Sequence, residues 1–248
     1  MFQKLTHSIN LYIMWQSRTE LLLGKEKVAK LAASNVLIVG LGGVGSYAAE
    51  MLCRAGVGRM TIVDGDRINE TNLNRQLPAL RSTIGRYKTE LMKERLLDIN
   101  PGLELEGITE FIRDERMVEI LGVDFDYVVD AIDTLSPKVF LIFHSLQRGI
   151  PVVSSMGSGG KTDPARIMIT DISKTYNCKL ARILRKRLHK LGIKKGFTAV
   201  FSPEEVPGES IELTDGEQNK ASNVGTVSYM PAAFGCACAS VVVRALSG

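Results

Sequence analysis

Cysteine and histidine are scarce in this 248-residue chain, and each scarcity removes a class of function. The four cysteines, Cys53, Cys178, Cys236 and Cys238, form no C-x-x-C pair, so no structural zinc knuckle is expected. Unpaired thiols suit a reducing, cytoplasmic setting. His7, His144 and His189 make no visible motif. No apolar run approaches the ~18 residues of a membrane-spanning helix. The apolar stretch 9–15 is short and lacks a small-residue cleavage site after it, which argues against a signal peptide. Residues 1–17 therefore read as an N-terminal extension, with Met14 as an alternative start, and 18–248 as a single domain. Acidic and basic residues nearly balance, 27 against 31, and a net charge of +4 alone points to no nucleic-acid partner. Hydrophobic residues make up 45%, enough for a globular core.

Short β-branched runs alternate with helical patterns, the signature of a mostly parallel sheet covered by helices. Strands are expected at 35–39, 60–63, 103–108, 127–131, from 151 to 154, 166–170 and 198–202. Helices are expected at 46–55, at 88–99 with Leu91, Leu96 and Leu97 inward, and at 177–191. Asn100-Pro101-Gly102 stops the second of these, and Ser136-Pro137 suits the N-cap and first turn of a helix running to about Gln147. Residues 202–221 carry Pro203, Pro207, Gly208, Gly216 and six acidic residues, and read as an exposed loop. A short strand at 226–229 and a final small-residue helix opened by Pro231 complete the chain. The fold class is α/β, a Rossmann-like, mostly parallel sheet flanked by helices. Its nucleotide-binding core spans about 34–160, and a smaller C-terminal α+β part spans about 161–248.

The strongest local feature is the run Gly40-Leu41-Gly42-Gly43-Val44-Gly45 between the first strand and its helix. Glycines permit a tight turn and let backbone amides approach phosphate, and the helix N-terminus adds partial positive charge. Asp64 ends the next strand, 19 residues after Gly45, where a carboxylate accepts hydrogen bonds from ribose hydroxyls. Asp66 follows two residues later. This much fits NAD as well as ATP. Three further elements favour ATP. Asn72-Leu73-Asn74-Arg75-Gln76 clusters amides and a guanidinium suited to phosphate oxygens. Gly85-Arg86-Tyr87-Lys88 puts the Lys88 ammonium at a helix start. Asp130-Ala131-Ile132-Asp133 ends a central strand, where open α/β sheets bind ligands, and a carboxylate beside polyphosphate is a natural Mg²⁺ ligand. Taken singly, Arg75 and Lys88 read equally well as surface cations and Asp133 as a helix cap.

In this order, GLGGVGS, VDGD, NLNRQ, GRYK and DAID resemble the ubiquitin-activating-enzyme-like adenylyltransferases, and the later segments DP at 163–164, TDISKT, VFS and GTVSYMP resemble their tRNA threonylcarbamoyladenosine dehydratase branch. The resemblance covers roughly residues 14–246. It implies ATP and Mg²⁺ as cofactors. It assigns Gly40, Gly42, Gly43, Gly45, Asp64, Asp66, Asn72, Arg75, Gln76 and Lys88 to the nucleotide, with Asp64 on the ribose. Arg75, Lys88 and Asp133 take part in catalysis, with Asp133 holding the metal. In the family the arginine at the position of Arg18 reaches the nucleotide of the neighbouring subunit, which implies a homodimer. The implied reaction is ATP-dependent cyclisation of threonylcarbamoyladenosine in tRNA through a carboxyl-adenylate. The alternative is activation of a ubiquitin-like sulfur carrier by the same first half-reaction. A sulfur-relay partner protein is a further candidate that no motif here identifies. Cys178 falls where a thioester cysteine would lie in ubiquitin-type activators, but a packed thiol is the simpler reading, as it is for Cys236 and Cys238.

From Lys174 to Pro203 there are nine Lys/Arg and no Asp or Glu. Lys179, Arg182, Arg185, Lys186, Arg187 and Lys190 share one helix, with Leu180, Ile183, Leu184 and Leu191 available for the core. The run is either an ordinary solvated face or a phosphate-binding surface for tRNA, and the missing acids favour the second. Arg113, Arg116 and the turn 157–161 are weaker candidates for the same surface.

Overall fold

All five positions of strand β1 (Asn35–Val39) are buried, as a strand covered on both faces by helices must be. Its side chains still divide by parity: Val36 and Ile38 face one apolar cluster, Leu37 and Val39 the other. In the computed structural model, which describes residues 15–112, 114–213 and 222–248, β1 lies within a seven-stranded sheet. The others are β2 (Arg59–Val63), β3 (Glu104–Ile108), β4 (Tyr127–Asp130), β5 (Val152–Ser155), β6 (Met168–Asp171) and β7 (Thr198–Phe201). The order is β3-β2-β1-β4-β5-β7-β6, with every pair parallel except β6–β7. Strand order reverses between β1 and β4. At such a switch point two crossovers leave in opposite directions and open a crevice beyond the strand ends.

Helices α1 (Ser17–Leu23), α2 (Lys25–Ala33), α3 (Gly45–Ala55), α4 (Lys88–Ile99), α5 (Asp114–Ile120), α6 (Leu135–Gln147), α7 (Lys179–Lys190) and α8 (Tyr229–Ser247) cover the sheet. One face packs Ala48, Leu52, Met92, Leu96, Phe234 and Val242 against it. The other packs Met117, Ile120, Leu141, Ile142, Leu184 and Leu188. Each of the larger of these side chains contributes roughly 1.5–3 kcal/mol by leaving water, and Ala48 less.

Several expectations need correction. Residues 226–229 form no strand: the pairing strand is β9 (Ser222–Val224), antiparallel to β8 (Ile211–Leu213). Gly225 is drawn off by two main-chain bonds, donating to the Ser210 carbonyl (2.7 Å) and accepting from the Gly160 amide (2.7 Å). The supposed loop 202–221 therefore contains β8 and begins at a fully buried Ser202, while 214–221 lie outside the described residues. The final helix starts two residues before Pro231, and α6 starts at Leu135 with Thr134 as its N-cap rather than Ser136. Chain 164–166 is a short 3-10 turn, so β6 starts only at Met168. Helix α8 has a mean hydropathy of 1.5, enough by length and composition to cross a membrane, contrary to the expectation of no such run. Its apolarity comes from small residues, and half of it is buried against the core, as an internal helix demands. Met14 and His7 lie outside the described residues.

Of the four thiols, Cys53 and Cys238 are buried, with burial pushing them up to about 11 and about 12 respectively. Cys236 is exposed, not packed as expected, because it falls between the Phe234–Gly235 and Cys238–Ala239 steps of the buried stripe of α8. Native alkylation near pH 7.5 followed by intact-mass analysis is expected to modify no more than two thiols, Cys178 and Cys236. Cys53 and Cys238 should react only after denaturation.

Candidate nucleotide site

Between β1 and α3 the chain has five residues in which to reverse, and the glycines make that possible in different ways. Gly40 adopts φ +91°, and a β-carbon there would lie 2.7 Å from the Ala131 carbonyl oxygen at the end of β4. At Gly45 a β-carbon would come within 1.7 Å of the Gly40 carbonyl oxygen, and at Gly43 within 2.8 Å of Pro231 in α8. Gly42 alone faces open space: its nearest neighbour would be the Gln76 side-chain nitrogen at 3.8 Å. Three glycines therefore let the loop close against its own strand, β4 and α8. The fourth leaves a bare surface at the N-terminus of α3.

Asp64, at the end of β2, braces this loop. One carboxylate oxygen accepts from the Leu41 amide at 2.6 Å and the other from the Asp66 amide at 2.8 Å. Burial pushes its carboxyl up from the ordinary value, opposed by the Lys88 charge and by those two amides. Lys88, first residue of α4, is buried, and its Nζ lies 2.7 Å from Asp66 Oδ2 and 3.9 Å from Asp64 Oδ2. It is not a surface cation. Arg75 is half-buried, held by the Thr71 carbonyl (2.8 Å) and Asn74 Oδ1 (2.9 Å). Burial lowers its guanidinium from the ordinary value, while nearby Asp133 works the other way. The two thus share one neighbourhood although 58 residues separate them in sequence (133 − 75). Gln76 Oε1 is buried with no hydrogen-bond partner among the described residues. Asn72 is buried, and its side-chain oxygen accepts from the Asn69 amide at 3.2 Å. Its carbonyl end therefore braces the NLNRQ turn instead of pointing at a ligand.

Asp133 lines a cleft of about 140 Å³ at the ends of β4 and β5, together with Val44, Ala131, Ser155 and Met156. A second, wider cleft of about 560 Å³ is bordered by Asn74, Gly160, Thr162, Thr226 and Ser228, while Gly157 and Ser158 of the same segment line the first. Asn74 Nδ2 donates to the Thr226 carbonyl at 2.9 Å, so the wider cleft begins one residue from Arg75. Arg18 stands exposed on α1 and takes no part in this arrangement within the chain.

A family model, that of the ThiF family, matches residues 16–248. The chain belongs to the ThiF family. Among its relatives within and beyond this family, the tRNA threonylcarbamoyladenosine dehydratase of Bacillus subtilis (strain 168) is 48% identical over 188 residues, 76% of this chain and 74% of that protein. The Haemophilus influenzae dehydratase is 38% identical over 234 residues, 89% and 88% of the two chains. Among solved structures, the E. coli tRNA N6-threonylcarbamoyladenosine dehydratase in complex with ATP superposes with a TM-score of 0.87 at 33% identity, covering 95% of each chain.

The residues of this ThiF-family chain fit ATP: a bare glycine surface at a helix N-terminus, an orphaned amide oxygen beside it, and two half-buried or buried cations. For a metal, no group of three or more His, Cys, Asp or Glu among the described residues could hold an ion unaided. A single carboxylate at Asp133 suits Mg²⁺, which takes one or two protein carboxylates and completes its shell with phosphate oxygens and water. What sequence reasoning missed is a buried pair formed by Lys138 and Asp130, three residues before Asp133. The signal was present, since Lys138 falls on the same helical stripe as the buried Ile142 and Ser145.

The glycine geometry separates two variants. Gly45→Ala is expected to cost about 1–3 kcal/mol of stability through overpacking. Gly42→Ala should leave the thermal midpoint unchanged but weaken ATP binding about tenfold or more, as read by calorimetric titration.

Proposed function

We propose that this chain is an ATP-dependent tRNA threonylcarbamoyladenosine dehydratase that works through a carboxyl-adenylate. The observation that carries the reading is the meeting of Arg75, Lys88 and Asp133 around the glycine loop at the sheet's switch point. The relationship to the Bacillus enzyme supports it.

A threonyl carboxylate is ionised at neutral pH and is a poor electrophile. Its oxygen attacks the α-phosphorus of ATP, pyrophosphate leaves, and an acyl-adenylate remains. The adjacent carbamoyl group then attacks the activated carbonyl and expels AMP, which closes the ring with net loss of water. The first step builds charge on phosphate oxygens, and preorganised cations in a water-poor crevice stabilise it. Arg75 is fixed by two hydrogen bonds before any ligand arrives. Lys88 is fixed by Asp66. Asp64 turns its carboxylate to the loop amides and offers remaining lone pairs to the ribose. Asp133 would hold Mg²⁺, which would supply Lewis-acid neutralisation of the phosphates.

Arg18 enters this scheme from a second copy. Gln16, two residues before it, packs on Gly56 at the C-terminal end of α3. The nucleotide loop lies at the other end of that 11-residue helix, about 16 Å away. The exposed Leu21 and Leu22 beside Arg18 supply apolar surface for a homodimer contact.

Helix α7 is the tRNA surface. Ala181, Leu184 and Leu188 face the core, flanked by Leu180 and Ile183, whereas Leu191 is 46% exposed and lies outside that stripe. Lys179, Arg182, Lys186, Arg187 and Lys190 are exposed, with Arg187 also donating to the Ser136 hydroxyl at 3.4 Å. Arg185 does not join them, because its guanidinium is bonded to the carbonyl and hydroxyl of Thr175. Of the weaker candidates, Arg116 is paired with Glu110 and Glu119, Lys161 is buried and bonded to the Glu204 carbonyl, and Arg113 lies outside the described residues.

Incubation with ATP, magnesium and tRNA carrying threonylcarbamoyladenosine is expected to remove one water from that nucleoside by mass analysis, and Asp133→Ala should abolish the change. Pyrophosphate exchange only with a sulfur-carrier protein would reject the reading. The triple variant Lys186→Ala/Arg187→Ala/Lys190→Ala should weaken tRNA binding and flatten the slope of log Kd against log salt by about 2–3 units, with ATP affinity unchanged.

A further inference from the structure

The Asp130–Lys138 pair is fully withdrawn from water, with both side chains 0% exposed and Lys138 Nζ 2.8 Å from Asp130 Oδ2. Burying two opposite charges is expensive, and a well-packed apolar pair at such a place is often as stable or more so. Here each charge is tied to backbone or side chain on a different element. Lys138, in the first turn of α6, donates to the Ile132 carbonyl at 2.9 Å. Asp130, the last residue of β4, accepts the Ile132 amide at 3.1 Å through Oδ1 and the Ser154 hydroxyl of β5 at 2.6 Å through Oδ2. Both polar groups of the Ile132 backbone are thereby claimed by the pair, while the Ala131 amide is bonded to the Val39 carbonyl at 2.9 Å. The turn 131–133 is gripped from β1, β5 and α6 at once.

We propose that the Asp130–Lys138 pair is a positioning element for the phosphate-binding crevice: it sets the 131–133 turn so that the Asp133 carboxylate stands beside Arg75 and the Ala131 carbonyl backs Gly40. Neither member touches the crevice; each acts through the Ile132 backbone. This rests on the assignment of Asp133 to the metal side of the reaction. The same turn touches the glycine loop, since a β-carbon at Gly40 would meet the Ala131 carbonyl, and it lines the cleft that holds Asp133. Slack in the turn would therefore displace both the loop wall and the carboxylate.

Removing one charge would strand the other in the core, so the informative variant neutralises both, Asp130→Asn/Lys138→Met. The readouts are circular dichroism, ATP affinity by calorimetry with and without magnesium, and kcat and KM for ATP in tRNA-dependent turnover. The expected double variant keeps native dichroism and binds ATP without magnesium within about threefold of wild type. It loses the gain in ATP affinity that magnesium gives, so in turnover with magnesium its KM for ATP rises by about that lost gain while kcat falls about tenfold or more. A folded double variant with that gain and kcat within about twofold of wild type would overturn the proposal. Should it not fold, Ser154→Ala carries the test, with a gain reduced about threefold expected and an undiminished gain fatal. Asp133→Ala serves as the control. If it too keeps the magnesium gain, the metal assignment fails and takes the proposal with it. If it loses the gain while the double variant keeps it, only the positioning role fails.

Discussion

The approach of Gly45 to the Gly40 carbonyl is the constraint from which the rest of the molecule is arranged. A single added carbon would sit 1.7 Å from that oxygen. Because the turn closes this tightly, α3 starts directly above β1, and its free amides face the crevice at the β1–β4 switch point. The second consequence is lateral. Gly40 backs against β4 and Gly43 against α8, so the nucleotide loop is a packed part of the core. A loop so confined is formed before a ligand arrives, which spares the ordering cost that a mobile phosphate-binding loop carries.

Charge inside the crevice follows from the same confinement. Lys88 and Asp64 are almost wholly buried, and a buried ion survives only with partners. Asp64 takes the amides of Leu41 and Asp66, and Lys88 takes Asp66. The low-dielectric surroundings that make these charges costly also make their attraction for phosphate stronger than it would be in water. Arg75 stands at the rim, half-buried, with its fork already partly used by Thr71 and Asn74. Its remaining donors are thus aimed before binding rather than by it.

Which parts of this were legible in the sequence follows from how local their causes are. The helix at Lys88–Ile99 and the strand at Asn35–Val39 were readable to the residue, because periodicity and β-branched runs reflect burial directly. The placement of the glycine run at a strand-to-helix turn, of Asp64 at a strand end and of Lys88 at a helix start was readable because each leaves its own residue type. The misplaced strand at 226–229 had the right alternation, but its pairing is pre-empted: Asn74 bonds the Thr226 carbonyl, and Ser210 takes the amide of the preceding Gly225. Strand pairing is settled by partners from elsewhere in the chain. For the same reason Arg185 was counted with the open cations although Thr175 claims it, and Asn72 was read as a ligand although it caps its own turn. The division of labour among four look-alike glycines was also beyond reach, since it depends on Ala131, Pro231 and Gln76.

Helix α8 shows how the C-terminal part reaches back into the nucleotide site. Its small residues suit close approach: a β-carbon at Gly235 would lie 2.4 Å from the Val44 carbonyl oxygen, and Pro231 presses on Gly43. Two contacts spaced four residues apart, one helical turn, therefore seat α8 along the glycine loop. The chain just before α8 borders the wider cleft through Gly225, Thr226, Val227 and Ser228, and Tyr229 donates from its hydroxyl to the Thr162 carbonyl on that cleft's other wall. One rigid helix thus abuts the glycine loop at one point and is continuous with the wall of the wider cleft at the next. A shared wall of this kind would hold two bound molecules in one frame, and effective concentration falls away once such frames drift apart.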